Sequence, residues 1–172
     1  MRVSGGEPVS AGSDPSRCEV RIRDVEDGDL DVFYEHQLDP EATQMAAFPA
    51  RQRHTFMARW AKIRADETVV KQTILVDGQV AGHLVSWEKA GSRRVGYWVG
   101  RHHWGRGVAT RALALFLDLV PSRPLYADVA VHNLGSIRVL ERCGFRRLPT
   151  QDVESPAAIP DGVEELVFIL ET

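Results

Sequence analysis

Apolar and charged positions alternate along Glu19–Val25, the mark of a half-buried strand. The period then turns helical. Leu30, Phe33, Tyr34 and Leu38 fall near one face over about residues 29–38, with Asp24 and Asp27 as candidate caps and Asp39-Pro40 as the stop. Met45–Pro49 reads as an apolar loop. A second helix follows over about Gln52–Ala65, with Phe56, Trp60 and Ile63 at helical spacing. Three strands come next. Thr68–Val76 and Gln79–Trp87 flank Asp77-Gly78, a type I′ hairpin signal, and Gly91-Ser92 turns the chain into Arg93–Val99.

The second half alternates helix and strand. After a Gly-rich turn, Val108, Ala112, Phe116 and Leu119 form a helical stripe with Leu113 and Leu117 beside it, and Pro121 and Pro124 stop it. Leu125–Val131 is a strand with Leu125, Ala127, Val129 and Val131 inward. Asn133–Cys143 is a helix with Leu134, Ile137 and Leu140 inward and Gly144 at the C′ position. Phe145–Leu148 opens a strand, Pro149–Gly162 reads as a loop, and Val163–Glu171 is a buried last strand. The predicted order is β-α-α-β-β-β-α-β-α-β-β. A doubly wound dinucleotide fold needs strands and helices to alternate throughout, which the meander in the first half opposes. Asp128 does stand about 20 residues past the glycines, where a ribose-binding acid would.

The candidate chemistry centres on Arg93–Thr110 (RRVGYWVGRHHWGRGVAT). A strand leads through a basic, Gly-rich turn into a helix start. The first N–H groups of a helix lack partners within it and are backed by the positive end of its dipole, so they suit a phosphate or diphosphate. Gly105 and Gly107 let the backbone approach the anion, and Arg106, His102 and His103 add positive charge. The spacing Gly105-x-Gly107-x-x-Thr110 lacks the third Gly of a dinucleotide fingerprint, and no Gly-Lys-Ser/Thr closes a P-loop.

Composition narrows the classes. The chain has 172 residues, 44% hydrophobic and 26% charged, enough for one domain with a sizeable core. A net charge of −3 gives no broad nucleic-acid footprint. No apolar run reaches the ~18 residues of a membrane span, and the N-terminus lacks the apolar core of a secretory signal. The two cysteines, Cys18 and Cys143, fit a disulfide-free cytoplasmic protein. Met1–Arg17, rich in Gly, Ser and Pro, reads as a flexible tail ahead of a single domain over residues 18–172.

Three segments stand in order: Gly96–Val99, Trp104–Thr110, and Asn133-x-x-Ser136 running on to Glu141-Arg142-Cys143-Gly144-Phe145. Together they resemble the GNAT acetyltransferase superfamily, and within it the RimJ/RimL type of ribosomal-protein alanine N-acetyltransferase. The resemblance covers about Val20 to the C-terminus and is sharp from about Val70 to Leu148. It implies an α+β fold whose mixed, mostly antiparallel sheet splays between its fourth and fifth strands, flanked by about four helices. It implies that acetyl-CoA lies in that gap as cosubstrate. Its diphosphate would meet the amides of Trp104, Gly105, Arg106, Gly107, Val108, Ala109 and Thr110, and its pantetheine arm would run along Trp98 and Val99. Trp104 departs from the family's common Gln/Arg at that place. Leu140 stands where many members carry a Tyr acid, so the resemblance offers Ser136 as the proton donor to the thiolate. Asn133 would bind CoA or order the strand–helix junction; read from the residues alone it is a helix N-cap.

Acyl transfer requires a neutral amine. A Lys amine near pKa 10.4 must give up roughly 4–5 kcal/mol to be neutral at pH 7, an α-amine near 7.8 about 1. An enzyme acting on α-amines therefore works with a weak base, and no metal or covalent nucleophile is required. Glu88, His83 and Tyr97 are the candidates for that base, against a solvated carboxylate, a buried structural His and a pocket-wall Tyr. Cys143 reads as structural. Trp60, Phe56, Met57, Met45 and Phe48 are candidates to wall the acceptor, and the acidic stretch Asp152–Glu165 to attract a cationic one. The expected activity is acetyl transfer from acetyl-CoA to a primary amine, on a protein N-terminus or a small molecule, by a monomer or homodimer. The alternative is a CoA-binding regulatory domain without turnover, or a nucleotide-binding protein.

Overall fold

The structure, a computed structural model, describes residues 18–149 and 162–172. A seven-stranded sheet carries the chain. Its strands are β1 (Val20–Arg23), β2 (Val70–Val76), β3 (Gln79–Lys89), β4 (Ser92–Val99), β5 (Leu125–Ala130), β6 (Arg146–Arg147) and β7 (Glu165–Leu170), in the spatial order β1-β2-β3-β4-β5-β7-β6. All neighbours are antiparallel except β4 and β5. The helices are α1 (Asp29–Gln37), α2 (Pro40–Ala46), α3 (Arg53–Ala65), α4 (Val108–Leu119) and α5 (Leu134–Arg142), with a short 3-10 turn at Arg101–His103. Among the described residues no helix is long and apolar enough to cross a membrane.

Helix α2 is a fifth helix, and only its last two residues, Met45 and Ala46, fall in the stretch Met45–Pro49 expected as an apolar loop. Asp39-Pro40 does stop α1, but it also starts the next helix. Proline at the first helical position needs no N–H partner, and the Asp39 carboxylate caps the N–H groups of Glu41 and Ala42 at 3.0 and 3.1 Å. Ala47 closes α2 in the left-handed region. Asp24 and Asp27 do not cap α1. The N-cap is Gly28, and the anchoring carboxylate is Asp29 in the first turn. Almost wholly buried, Asp29 takes both Arg23 nitrogens at 2.6 and 2.9 Å, the Thr73 hydroxyl at 2.6 Å and the Glu26 N–H at 2.9 Å. The pairing with Arg23 and the hydrogen bonds hold this carboxyl below the usual carboxylate range against the opposing effect of burial, which is the largest single influence. Helix α1 is thereby pinned across β1 and β2.

The main core lies between the sheet and α4–α5: Leu84, Val95, Val99, Ala112, Leu113, Phe116, Leu125 and Leu140 are among its members. A second cluster of Phe33, Phe56 and Trp60 covers the other face under α1 and α3. The hydrophobic stripes overreach at their ends. Leu119, Val131 and Leu134 are exposed, since each sits where its element meets a turn and the opposing surface has ended. Asp77 and Gly78 both have positive φ, as a type I′ turn requires.

Candidate active site

Strands β4 and β5 are paired only at Arg93–Leu125 and Arg94–Tyr126. Beyond that point each follows its other neighbour. β4 stays on β3 out to Val99–Gly82, and β5 stays on β7 out to Ala130–Glu165. The two strands therefore part, as the resemblance implied, and their facing edges leave main-chain groups open to an extended ligand. At the fork Arg94 forms an ion pair with Asp128, both largely buried. Asp128 is thus committed to a guanidinium.

At the open end of β4 the chain enters the Gly-rich turn. Gly105 and Gly107 have φ of +72° and +70°, which side chains with a Cβ rarely adopt, and no atom of the described chain fills the space their Cβ atoms would take. Gly107 is the N-cap of α4. Among the described residues, the N–H groups of Gly105 through Thr110 find no hydrogen-bond partner, the first capping bond being Arg111 N–H to Gly107 O at 3.2 Å. Gly105 and Gly107–Thr110 border a cavity of about 430 Å³ that also reaches Trp98, Val99, Asn133 and Ser136. The Trp104 indole N–H donates to the Val99 carbonyl at 2.8 Å, tying the turn to the strand end.

The charge around this cavity differs from expectation. Arg106 lies near Asp77, at 4.0 Å, and does not line the cavity. His103 does line it, but burial and the nearby Arg106 lower its proton affinity. The lining cations are Arg138 and Arg142 of α5. Their i, i+4 spacing put them on one helix face, a signal present in the sequence but masked by the Glu141-Arg142-Cys143-Gly144 C-cap.

Ser136 and Tyr97 meet where the gap widens. Their hydroxyls are 2.6 Å apart, and the Tyr97 O–H also lies 3.3 Å from the Ser136 carbonyl. The Asn133 carboxamide oxygen accepts the Ser136 N–H at 3.0 Å, so Asn133 is the N-cap of α5. Burial pushes the Tyr97 phenol well above its ordinary value, which keeps it protonated. Leu140 is fully buried core. Glu88 is exposed, stands opposite Arg93 on β3, and borders neither cavity of the site. The sequence-based base is therefore not brought to Tyr97 and Ser136. His83 lies between Phe33 and Trp60, with ring centroids at 4.7 and 4.8 Å. Burial, then His36 and Arg59, push it down to about 3, so it is neutral. The Cys143 thiol is raised by burial and lies 3.5 Å from the Thr110 carbonyl, a packing arrangement and not that of a nucleophile.

A second cavity of about 580 Å³ opens from the same place toward α1 and α3, sharing Tyr97, Trp98, Asn133 and Ser136 with the first. Phe33, Phe48, Phe56, Trp60 and Trp87 wall it. Of the expected wall residues, Met45 lines the first cavity instead, and Met57 packs behind the wall. Glu165, opposite Ala130, also lines it, and its carboxyl is raised by burial and by Asp128. The rest of the acidic stretch named with it, up to Asp161, lies outside the described residues, as does the Met1–Arg17 tail.

Residues 19–146 match the acetyltransferase (GNAT) domain family, and the chain belongs to that family. It is 28% identical over 142 residues to the uncharacterized N-acetyltransferase p20 of Bacillus licheniformis, an overlap of 74% of this chain and 79% of that protein. The same fold occurs in Mycobacterium smegmatis RimJ in complex with CoA-disulfide, at 24% identity and a TM-score of 0.70 over 90% of this chain and 84% of that one. It occurs again in the aminoglycoside acetyltransferase AAC(6')-Ib in complex with coenzyme A, at 19% identity and a TM-score of 0.71 over 89% of this chain and 95% of that one.

Proposed function

We propose that this protein is an N-acetyltransferase of the RimJ/RimL type that moves acetyl from acetyl-CoA to a primary amine within a ternary complex. The observation that carries the reading is the row of unpartnered N–H groups at Gly105–Thr110 set beside the fork between β4 and β5. Those amides and the Arg138 and Arg142 guanidiniums would hold the diphosphate and its neighbouring phosphate. The free edge at Trp98 and Val99 would pair with the pantetheine amides and offer main-chain N–H groups to the oxyanion.

The thioester supplies an activated acyl carbon. The amine nitrogen bonds to that carbon, the carbon–sulfur bond breaks, and the electron pair leaves on sulfur. Ser136 Oγ donates the proton that neutralises the thiolate and takes a proton back from solvent, while its hydrogen-bonded neighbour Tyr97, held protonated, backs it. Glu165, whose carboxyl has a raised affinity for protons and lines the acceptor cavity, takes the proton shed by the amine. Holding both reactants in adjoining cavities supplies much of the rate enhancement.

The test is direct. The purified chain with acetyl-CoA and a panel of primary amines should release free thiol and yield the acetylated amine by mass spectrometry. Tight CoA binding with no thiol release above the enzyme-free rate would overturn the reading.

A further inference from the structure

Eight of the sixteen arginines among the described residues pair with carboxylates, Arg23, Arg53, Arg64, Arg94, Arg101 and Arg146 among them. Arg51 and Arg59 have no carboxylate partner among the described residues, and both line the acceptor cavity. On helix α3 the contrast is local, since Arg53 and Arg64 reach Asp31 and Asp27 while Arg59 between them pairs with no carboxylate among the described residues.

The cavity's own carboxylates do not answer this charge. Asp128 is held by Arg94, and Glu165 has Lys89 and Arg94 as its cationic neighbours. His83, the other titratable side chain beside Arg59, is neutral. Among the described residues, the end of the cavity under α1 and α3 is therefore left with uncompensated positive charge.

Arg51 is also held in place. The buried carboxamide of Gln37 donates to the Arg51 carbonyl at 2.7 Å and accepts the Arg51 N–H at 3.0 Å, closing a two-bond clamp. The Arg51 guanidinium sits 4.7 Å from the centroid of the Phe48 ring, which the cavity also borders. Burial and the like charge of Arg59 lower the proton affinity of Arg51. Two cations kept together at a cost, one of them on a fixed backbone, are the arrangement in which a bound anion gains most.

We propose that Arg51 and Arg59 form an anion subsite of the acceptor cavity, so that the amine acetylated also carries a carboxylate or phosphate group. This rests on the acetyltransferase reading for the identity of the cavity, though not for the binding itself. A free α-amino acid satisfies the chemistry, as does an aminoalkyl phosphate; a polyamine does not.

Binding is measured on the CoA-loaded full chain by calorimetry and by the fluorescence of Trp60, Trp87 and Trp98, all of which line the cavity. The probes are the standard L-amino acids, their C-terminal amides, phosphoethanolamine and spermidine. At least one amino acid should bind roughly tenfold or more tighter than its own amide, the worth of a charge-assisted hydrogen bond. Phosphoethanolamine outbinding every amino acid would assign the subsite to phosphate. Arg51→Gln and Arg59→Gln, singly and together, should erase the preference for the anion while leaving CoA affinity and the circular dichroism spectrum unchanged. Equal binding of acids and amides, or a preference for spermidine, overturns the proposal. Because binding is read without turnover, an inactive protein that still prefers the anionic probe would sink the acetyltransferase reading and leave the subsite standing.

Discussion

Arg94 and Asp128 join β4 to β5 at the last point where the two strands run side by side. Arg94 is the final β4 residue in register with β5, and Asp128 follows its partner Tyr126 by two positions on the same face. Asp128→Ala should leave a largely buried guanidinium unpaired and cost about 3 kcal/mol in chemical denaturation. The double variant Arg94→Met/Asp128→Leu should recover most of that loss. Equal stability of all three proteins would mean that the fork is held by the backbone alone.

Gly107→Val addresses the turn. A β-branched residue resists a φ of +70°, so the helix start must shift at a cost of roughly 1–3 kcal/mol, and its side chain would enter the space facing the free amides. CoA affinity should fall at least tenfold while the protein remains folded. Unchanged CoA affinity in calorimetry would remove the turn from the binding site.

Ser136→Ala and Tyr97→Phe separate chemistry from binding. Loss of the Ser136 hydroxyl should lower kcat by roughly 10²-fold, the scale of one general acid, with CoA affinity intact. Tyr97→Phe should lower it less, because the phenol supports the hydroxyl and does not meet the sulfur. Equal turnover of Ser136→Ala and the parent would take that serine out of the reaction.

Stability should depend on pH through two histidines. His83 is held down at about 3 and His36 at about 4, both mainly by burial, against an ordinary value near 6.5. Above pH ~6.5 folded and unfolded chains are alike at these sites. Below it the unfolded chain takes up protons that the folded one refuses, so stability falls with pH by at most ~1.4 kcal/mol per unit for His83, and by less for the more exposed His36. Denaturant midpoints between pH 6.5 and 5 should decline accordingly, and His83→Asn should flatten the slope. A parent protein with level midpoints across that range would contradict the buried, neutral state.

Much of this was legible in the sequence because it depends on local rules. The Asp77-Gly78 hairpin, the α4 stripe and the Gly144 stop follow from spacing and from positive φ. The turn with bare amides was legible for the same reason, since open helix-start amides need only Gly105 and Gly107 before Val108. What was hidden depends on residues far apart in the chain. Glu88 looked suitable because it ends a strand, yet alternation along β3 puts its side chain on the face away from the acceptor cavity. Arg51 and Arg59 converge on that cavity from a loop and a helix, and no spacing announces it; Glu165, the end of the acidic stretch expected to draw an acceptor, joins them from the last strand. Arg106 was assigned to the phosphates by proximity in sequence, but Asp77 competes for it from the hairpin.

The His36 ring packs against the bare α-carbon of Gly100, its Nε2 only 2.6 Å from where a β-carbon would stand. Helix α1 bears two residues bordering the acceptor cavity, Phe33 and Gln37, and Gly100 opens the loop that leads to the carrier amides. The loop into the Gly105–Thr110 turn thus abuts a side chain of the helix that borders the second cavity. A methyl group at position 100 would have to displace the His36 ring, so the packing of α1 beside the second cavity answers to a residue that lines neither cavity.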